Sequence, residues 1–387
     1  MKVIIGILRG TASALNLLII SLGFLGIYII AAEVVPDLLN ARREARSVKP
    51  DFRVANEDYA AQPWAVPMFL ETHKALAKLA WHPYDYWRPV PFVGNFVNVE
   101  DNGLRRSVRP AQREKLITVA MFGGSAVWGF GARDEGTIPS FLARDLESRV
   151  GCAVNITNYG QPGYVSSQDL AAFTFMLRQG NTPDIAVFLQ GFNDGTSAFA
   201  ARMPGLPQNE KNRQQEFNLT NRNNRLTSYL TLAPLVLWRT NDWLRRALNN
   251  KTEFAPLEDK EYASLASGTL SALEHNTRQG RAIASEYGIV TLHALQPNLF
   301  SKSSRSDYEI QAEAKEAVVK PLFLTLSTLA EAWRRQPGRV DLSNVFGDSK
   351  EAVFLDGVHL TEQGNQIVAR ALADRLANEA TRICARK

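Results

Sequence analysis

Leu116-Ile117-Thr118-Val119-Ala120-Met121-Phe122-Gly123-Gly124-Ser125 is a nearly unbroken apolar run that stops on two glycines and a serine. Such a run suits a strand buried on both faces, as in the interior of a parallel sheet. Asp184 to Gln190 repeats the design and delivers Gly191-Phe192-Asn193-Asp194. Two more strands are expected at Ala153 to Thr157 and Ile289 to Leu295. Helical patterns fall between and after them, at Ile138 to Val150, Ser167 to Gln179, Lys260 to Tyr287 and Glu362 to Cys384. This alternation predicts an α/β fold, a mainly parallel sheet with helices on both faces and ligands beyond the carboxyl ends of its strands.

Four turn-like fragments carry chemistry: Gly123-Gly124-Ser125, Asn158-Tyr159-Gly160, Gly191-Phe192-Asn193-Asp194 and Asp356-Gly357-Val358-His359. A serine hydroxyl is a weak nucleophile at neutral pH and needs an imidazole within hydrogen-bond reach to take its proton. Asp-x-x-His spacing lets one compact turn present Asp356 to one ring nitrogen of His359, leaving the other nitrogen for Ser125. A tetrahedral intermediate then needs donors, and the backbone N–H groups of Ser125 and Gly160 with the side-chain amide of Asn193 are the candidates. Singly, each residue has a plainer reading. Ser125 can cap a helix, His359 can begin one, Asn193-Asp194-Gly195 is a turn sequence and Gly160 suits a bend. Their joint order favours the catalytic reading.

The four blocks resemble those of the SGNH, or GDSL-like, hydrolases, whose Ser, Gly, Asn and His correspond here to Ser125, Gly160, Asn193 and His359. The resemblance runs from Leu116 to about Leu376. It implies a flavodoxin-like three-layer α/β/α fold. It also implies an acyl-serine intermediate formed from a carboxylic ester, with Ser125 as nucleophile and His359 as base beside Asp356. Water resolves that intermediate in an esterase, deacetylase or lipase; a sugar hydroxyl resolves it in an O-acyltransferase. A carbohydrate-binding or scaffold protein of envelope assembly with a silent site is a reading of another class. One position departs from the pattern: the commoner first block has Gly-Asp-Ser, whereas Gly124 precedes Ser125 here.

Rival motifs fall away. The serine lacks the second glycine of a G-x-S-x-G elbow, and Gly129-Phe130-Gly131 is followed by Asp134 where a dinucleotide fingerprint wants a third glycine. His73, His82, His275, His293 and His359 show no paired ligand spacing, and Cys152 and Cys384 are far apart, so no metal is expected. The mechanism calls for no organic cofactor.

With 387 residues, 45% of them hydrophobic, the chain can bury one large core plus an appendage. Its net charge of +5 comes from Lys and Arg interleaved with Asp and Glu, which does not point to nucleic acid. No charge occurs between Arg9 and Glu33, and Leu15 to Ala32 is apolar enough to span a bilayer. Residues 1–35 are therefore expected to be an N-terminal transmembrane anchor, with a cleaved signal peptide as the alternative. Arg42, Arg43, Arg46 and Lys49 follow the span while Lys2 and Arg9 precede it, so the positive-inside count does not favour export. Analogy with bacterial envelope hydrolases points instead to an extracytoplasmic, periplasmic domain. Residues 36–113 read as a linker and extension, aromatic- and proline-rich from Trp81 to Pro91, and 114–387 as the hydrolase-like domain. An insertion at about 200–256 fits a lid, a membrane-contacting hairpin or a surface excursion. The expected partners are the membrane and an acylated small molecule, polysaccharide or lipid.

Overall fold

The computed structural model describes residues 20–28, 51–207, 210, 213 and 256–387. The chain divides into two units, Met1–Pro50 with Gln215–Glu253 and Asp51–Gln214 with Phe254–Lys387. In the first unit residues 20–28 are helical. The rest of the expected anchor at Leu15 to Ala32, and most of the expected insertion at 200–256, lie outside the described residues. No helix among the described residues is long and apolar enough to cross a membrane.

The second unit is built on five parallel strands, β1 (Leu116–Gly123), β2 (Ala153–Asn158), β3 (Ile185–Gln190), β4 (Val290–Leu295) and β5 (Arg339–Asp341). Their order is β2-β1-β3-β4-β5. Val119 of β1 faces Ile156 on one side and Ile185 on the other. The chain thus reverses direction across the sheet between β1 and β3, and ligands of doubly wound sheets bind at such a switch point. Gly123 pairs with Leu189, so the loops carrying Ser125 and Asn193 leave neighbouring strand ends.

Among the described residues from 114 onward, eight α-helices accompany this sheet: α1 (Ser125–Trp128), α2 (Ile138–Val150), α3 (Ser166–Arg178), α4 (Phe192–Ala201), α5 (Asp259–Glu286), α6 (Asp307–Lys315), α7 (Lys320–Arg334) and α8 (Glu362–Arg386). Strand residues alternate between two faces. Ile117, Val119, Met121, Val187 and Leu189 meet Leu142 and Leu146 of α2 and Val368, Leu372 and Leu376 of α8. Ala120, Phe122, Ala186 and Phe188 meet Phe173 and Met176 of α3 and Ala284 of α5. The expected parallel α/β sheet, covered on both faces, is what the chain adopts. His293 belongs to this core. Its ring stacks on Phe188 at 4.5 Å, and burial, with Arg281 and Arg339 adding to it, lowers its pKa to about 3, so it is a neutral packing residue.

The two cysteines, distant in sequence, are joined. Cys152, just before β2, and Cys384, in the last turn of α8, form a disulfide with Cα atoms 6.0 Å apart across 232 residues. Closing so long a loop restricts the unfolded chain, which stabilises the fold by about 2–5 kcal/mol. Cys384→Ala, or reduction of the native protein, is expected to lower the guanidinium unfolding midpoint accordingly. An unchanged midpoint would mean that the bridge contributes nothing to equilibrium stability.

Residues 51–113 fold onto the same body. They contain the helix Ala65–Leu76, the hairpin Leu79–His82 with Tyr86–Pro89, and the short pair Phe92–Val93 with Asn98–Val99. Arg105 bridges antiparallel to Asn158 and so meets the last residue of β2 on its open edge. Its guanidinium is wholly buried, 2.7 Å from Asp134, donating to the carbonyls of Gly129 and Ala132 and lying 4.6 Å over the Trp128 ring. A buried cation is tolerated only with such partners. Here they clamp the turn that follows Ser125.

Candidate active site

Ser125 opens α1 directly beyond the carboxyl end of β1, with Gly124 as the residue before the helix. The turn opposite is folded by its own aspartate. Asp356 Oδ1 accepts the N–H groups of Val358 and His359 at 3.0 and 2.9 Å, which bends the chain so that His359 Nδ1 comes 2.7 Å from Asp356 Oδ2. Thr361 then caps α8 by accepting from the Gly364 N–H. His359 Nε2 lies 2.7 Å from Ser125 Oγ, a contact spanning 234 residues. The three residues singled out in the sequence are therefore brought into one line.

Burial of Asp356 opposes its charge, but the adjoining imidazole, and after it Arg53, outweigh that and hold the carboxyl well below the usual carboxylate range. An ionised Asp356 can only accept, so Nδ1 carries the imidazole proton and the lone pair of Nε2 faces the Ser125 hydroxyl.

The donor residues differ in their placing. Asn193 Nδ2 donates to the Tyr164 carbonyl at 2.8 Å and lies 2.1 Å from where a Cβ on Gly124 would stand. The Asn193 amide thus covers the residue beside the serine and keeps a second N–H to give. Asp194 fixes this loop, accepting from the Ser166 hydroxyl at 2.5 Å and from the Ser166 and Gly191 N–H groups. Gly160 packs on α1 so closely that a Cβ would stand 2.5 Å from the Trp128 nitrogen. Its N–H, expected to be a free donor, instead closes an Asx turn onto Asn158 Oδ1 at 2.9 Å. The Asn158 amide in turn donates to the Val127 carbonyl. Of the expected donors, the Asn193 amide lies beside Gly124, the residue before Ser125, while the Gly160 N–H is engaged by Asn158.

Several neighbours of the site were not among the expected site residues. Phe130, set aside as part of a glycine-flanked loop, packs its ring 4.5 Å from that of His359. Trp87 of the hairpin donates to the Pro162 carbonyl, and the Tyr164 hydroxyl donates to the Trp87 carbonyl. The hairpin thereby holds the segment whose Tyr164 carbonyl takes the Asn193 amide. Arg53 Nε lies 2.6 Å from Asp356 Oδ2.

A serine hydroxyl, an imidazole of fixed tautomer and a buried ionised carboxylate, in line at the carboxyl edge of a doubly wound sheet, make up the apparatus of a serine hydrolase. The family model described as GDSL-like Lipase/Acylhydrolase matches residues 119–372, and the chain belongs to that family of serine ester hydrolases. No curated protein matches it. Among solved structures it is similar to the lipase Lip_vut3 from a goat rumen metagenome (15% identity, 67% of this chain and 96% of that one, TM-score 0.38). It is also similar to a variant acetyl-xylooligosaccharide esterase from Geobacillus (14%, 67% and 94%, TM-score 0.37). A third is a lipolytic protein of the G-D-S-L family from Desulfitobacterium hafniense (11%, 67% and 98%, TM-score 0.36).

Proposed function

We propose that Ser125 is acylated by a carboxylic ester and that water then releases the acyl group. The observation that carries this reading is the unbroken line from Ser125 Oγ through His359 to Asp356, both contacts at 2.7 Å. Oγ attacks the ester carbon as its proton passes to His359 Nε2. The bond to the alcohol oxygen breaks, and Nε2 returns the proton to that oxygen. Water repeats the sequence on the acyl-enzyme, freeing the acid and restoring Ser125. The Ser125 N–H and the Asn193 amide stabilise the oxyanion, and Gly160 joins them by exchanging Asn158 Oδ1 for it.

The substrate we infer is an acylated polysaccharide of the cell envelope. Support comes from a cleft of about 380 Å³ beside the hairpin, lined not by Ser125 or His359 but by Trp81, Tyr159, Arg88, Asp101, Asn102 and Asn181, whose aromatic and polar groups suit sugars. Transfer of the acyl group to a sugar hydroxyl in place of water would proceed from the same acyl-serine. An extracytoplasmic site fits the Cys152–Cys384 bridge, since disulfides persist in oxidising compartments. Tethering through residues 1–35 fits the exposed Ile20, Phe24 and Ile27 of the helix at 20–28.

The test is to incubate the protein with p-nitrophenyl acetate, quench in acid and map its peptides. Acetyl on Ser125, absent from Ser125→Ala, is the expected result; addition of an oligosaccharide then separates hydrolysis from transfer by the appearance of acetylated sugar. A folded protein whose Ser125 takes up neither acetyl nor a fluorophosphonate would sink the acyl-serine reading.

A further inference from the structure

We propose that Arg53, supplied by the N-terminal extension, is a positioning residue of the Ser125–His359–Asp356 relay. This rests on the reading of that relay as the reacting machinery. Arg53 Nε lies 2.6 Å from Asp356 Oδ2, the oxygen that also takes His359 Nδ1 at 2.7 Å. The other oxygen of Asp356 is filled by two backbone N–H groups. With each oxygen accepting two donors, the carboxylate has no rotational freedom left.

Arg53 is itself fixed on several sides. One terminal nitrogen contacts both oxygens of Asp51 at 3.2 and 3.0 Å, and Asp51 is held in turn by His73 Nε2 at 2.8 Å. The guanidinium lies 4.6 Å from the Phe52 ring and 4.8 Å from that of Phe130, which packs against His359. A planar cation stacked in this way transmits its own order to the group it pairs with. The remaining groups facing the turn are Glu316, which accepts the Gly357 N–H, Tyr308, whose hydroxyl donates to the Leu355 carbonyl, and Lys315, which lies over Phe52. Burial, and then Asp356, raise the pKa of the Glu316 carboxyl.

Two effects follow. Arg53 aims Asp356 at the imidazole, and its charge opposes the second positive charge that appears when Nε2 takes a proton. Removal of the Arg53 charge is therefore expected to move the acid limb of the rate to higher pH. Loss of a unit charge at this range moves a titration by about one pH unit.

The experiment measures kcat and KM for p-nitrophenyl acetate on the full chain from mildly acidic to mildly alkaline pH. In Arg53→Gln, kcat is expected to fall about 10- to 100-fold, as for a small misplacement of reacting groups, and the acid-side midpoint to rise by about one pH unit. Arg53→Lys should return the midpoint without returning all of kcat, because an ammonium carries the charge but not the planar fork. A merely structural role would lower the active fraction and leave the midpoint alone, so an unmoved midpoint in Arg53→Gln overturns the proposal whatever the rate. Should Arg53→Gln not fold, wild-type kcat in Arg53→Lys overturns it instead. An acid limb that is missing from the wild type, or that survives in His359→Gln, overturns the relay and Arg53 with it.

Discussion

Asp356→Asn is expected to lower kcat for p-nitrophenyl acetate by about 10⁴-fold, the loss typical of a wrongly set imidazole tautomer. Asp356 accepts four hydrogen bonds, two from the backbone, one from His359 and one from Arg53. An asparagine has one accepting oxygen. If that oxygen keeps the backbone donors, its NH₂ group faces His359 Nδ1, which must then accept. The ring proton moves to Nε2 and points at Ser125, and the base is gone. The same substitution takes one carboxylate from Arg53 and leaves it Asp51, so about 1.5–3 kcal/mol of stability should go with it, the worth of a hydrogen bond to a charged group. The sign of the pH dependence follows from the depressed pKa of Asp356. Its contribution is complete above about pH 4, where the unfolded carboxyl is also ionised, and is lost as the pH falls through the folded pKa. Wild type should carry that acid sensitivity and Asp356→Asn should lack it. Activity within tenfold of wild type would show that Asp356 does not orient the imidazole.

Gly124→Asp, which writes the commoner Gly-Asp-Ser block into this chain, is expected to cost about 10²- to 10³-fold in kcat, the effect of losing one oxyanion donor. A Cβ at residue 124 would stand 2.1 Å from Asn193 Nδ2. The backbone there has φ −82°, open to any residue, so the obstacle is only the free end of the Asn193 side chain. Asn193 can swing away at small cost in stability, but in doing so it leaves the serine. Thermal unfolding should barely change while kcat drops. Asn193→Ala should lose a similar factor, and the double variant little more than either alone, since both remove one interaction. Additive losses, or a Gly124→Asp enzyme as fast as wild type, would show that the two residues do not act together.

What could be read in the sequence was local. Leu116–Gly123 and Ile185–Gln190 announced themselves by continuous apolar runs, and the Asp356–His359 turn is made by an aspartate bonding its own near neighbours. Helix ends fell within a residue or two of expectation because capping is also local, as with Thr361 before α8. What escaped was pairing across the chain. Arg53 meets Asp356 over 303 residues and Cys152 meets Cys384 over 232, and nothing near either partner records the other. β5 escaped for a different reason, since Arg339-Val340-Asp341 is too short to show a period. The hold of Asn158 on the Gly160 N–H was also not read, although Asn158 is polar and only two residues away.

The family model ends at residue 372, whereas Cys384 lies beyond it and Arg53, Trp87 and Arg105 all precede its start at residue 119. A gene fragment cut to the family boundaries would encode Ser125, Asp356 and His359, yet it would omit the cation on Asp356, the brace under the Asn193 segment and the clamp on the turn after Ser125. The smallest transplantable piece of this enzyme is therefore longer than the stretch that defines its ancestry, and homology-guided trimming would yield a protein with every signature residue and a slackened site.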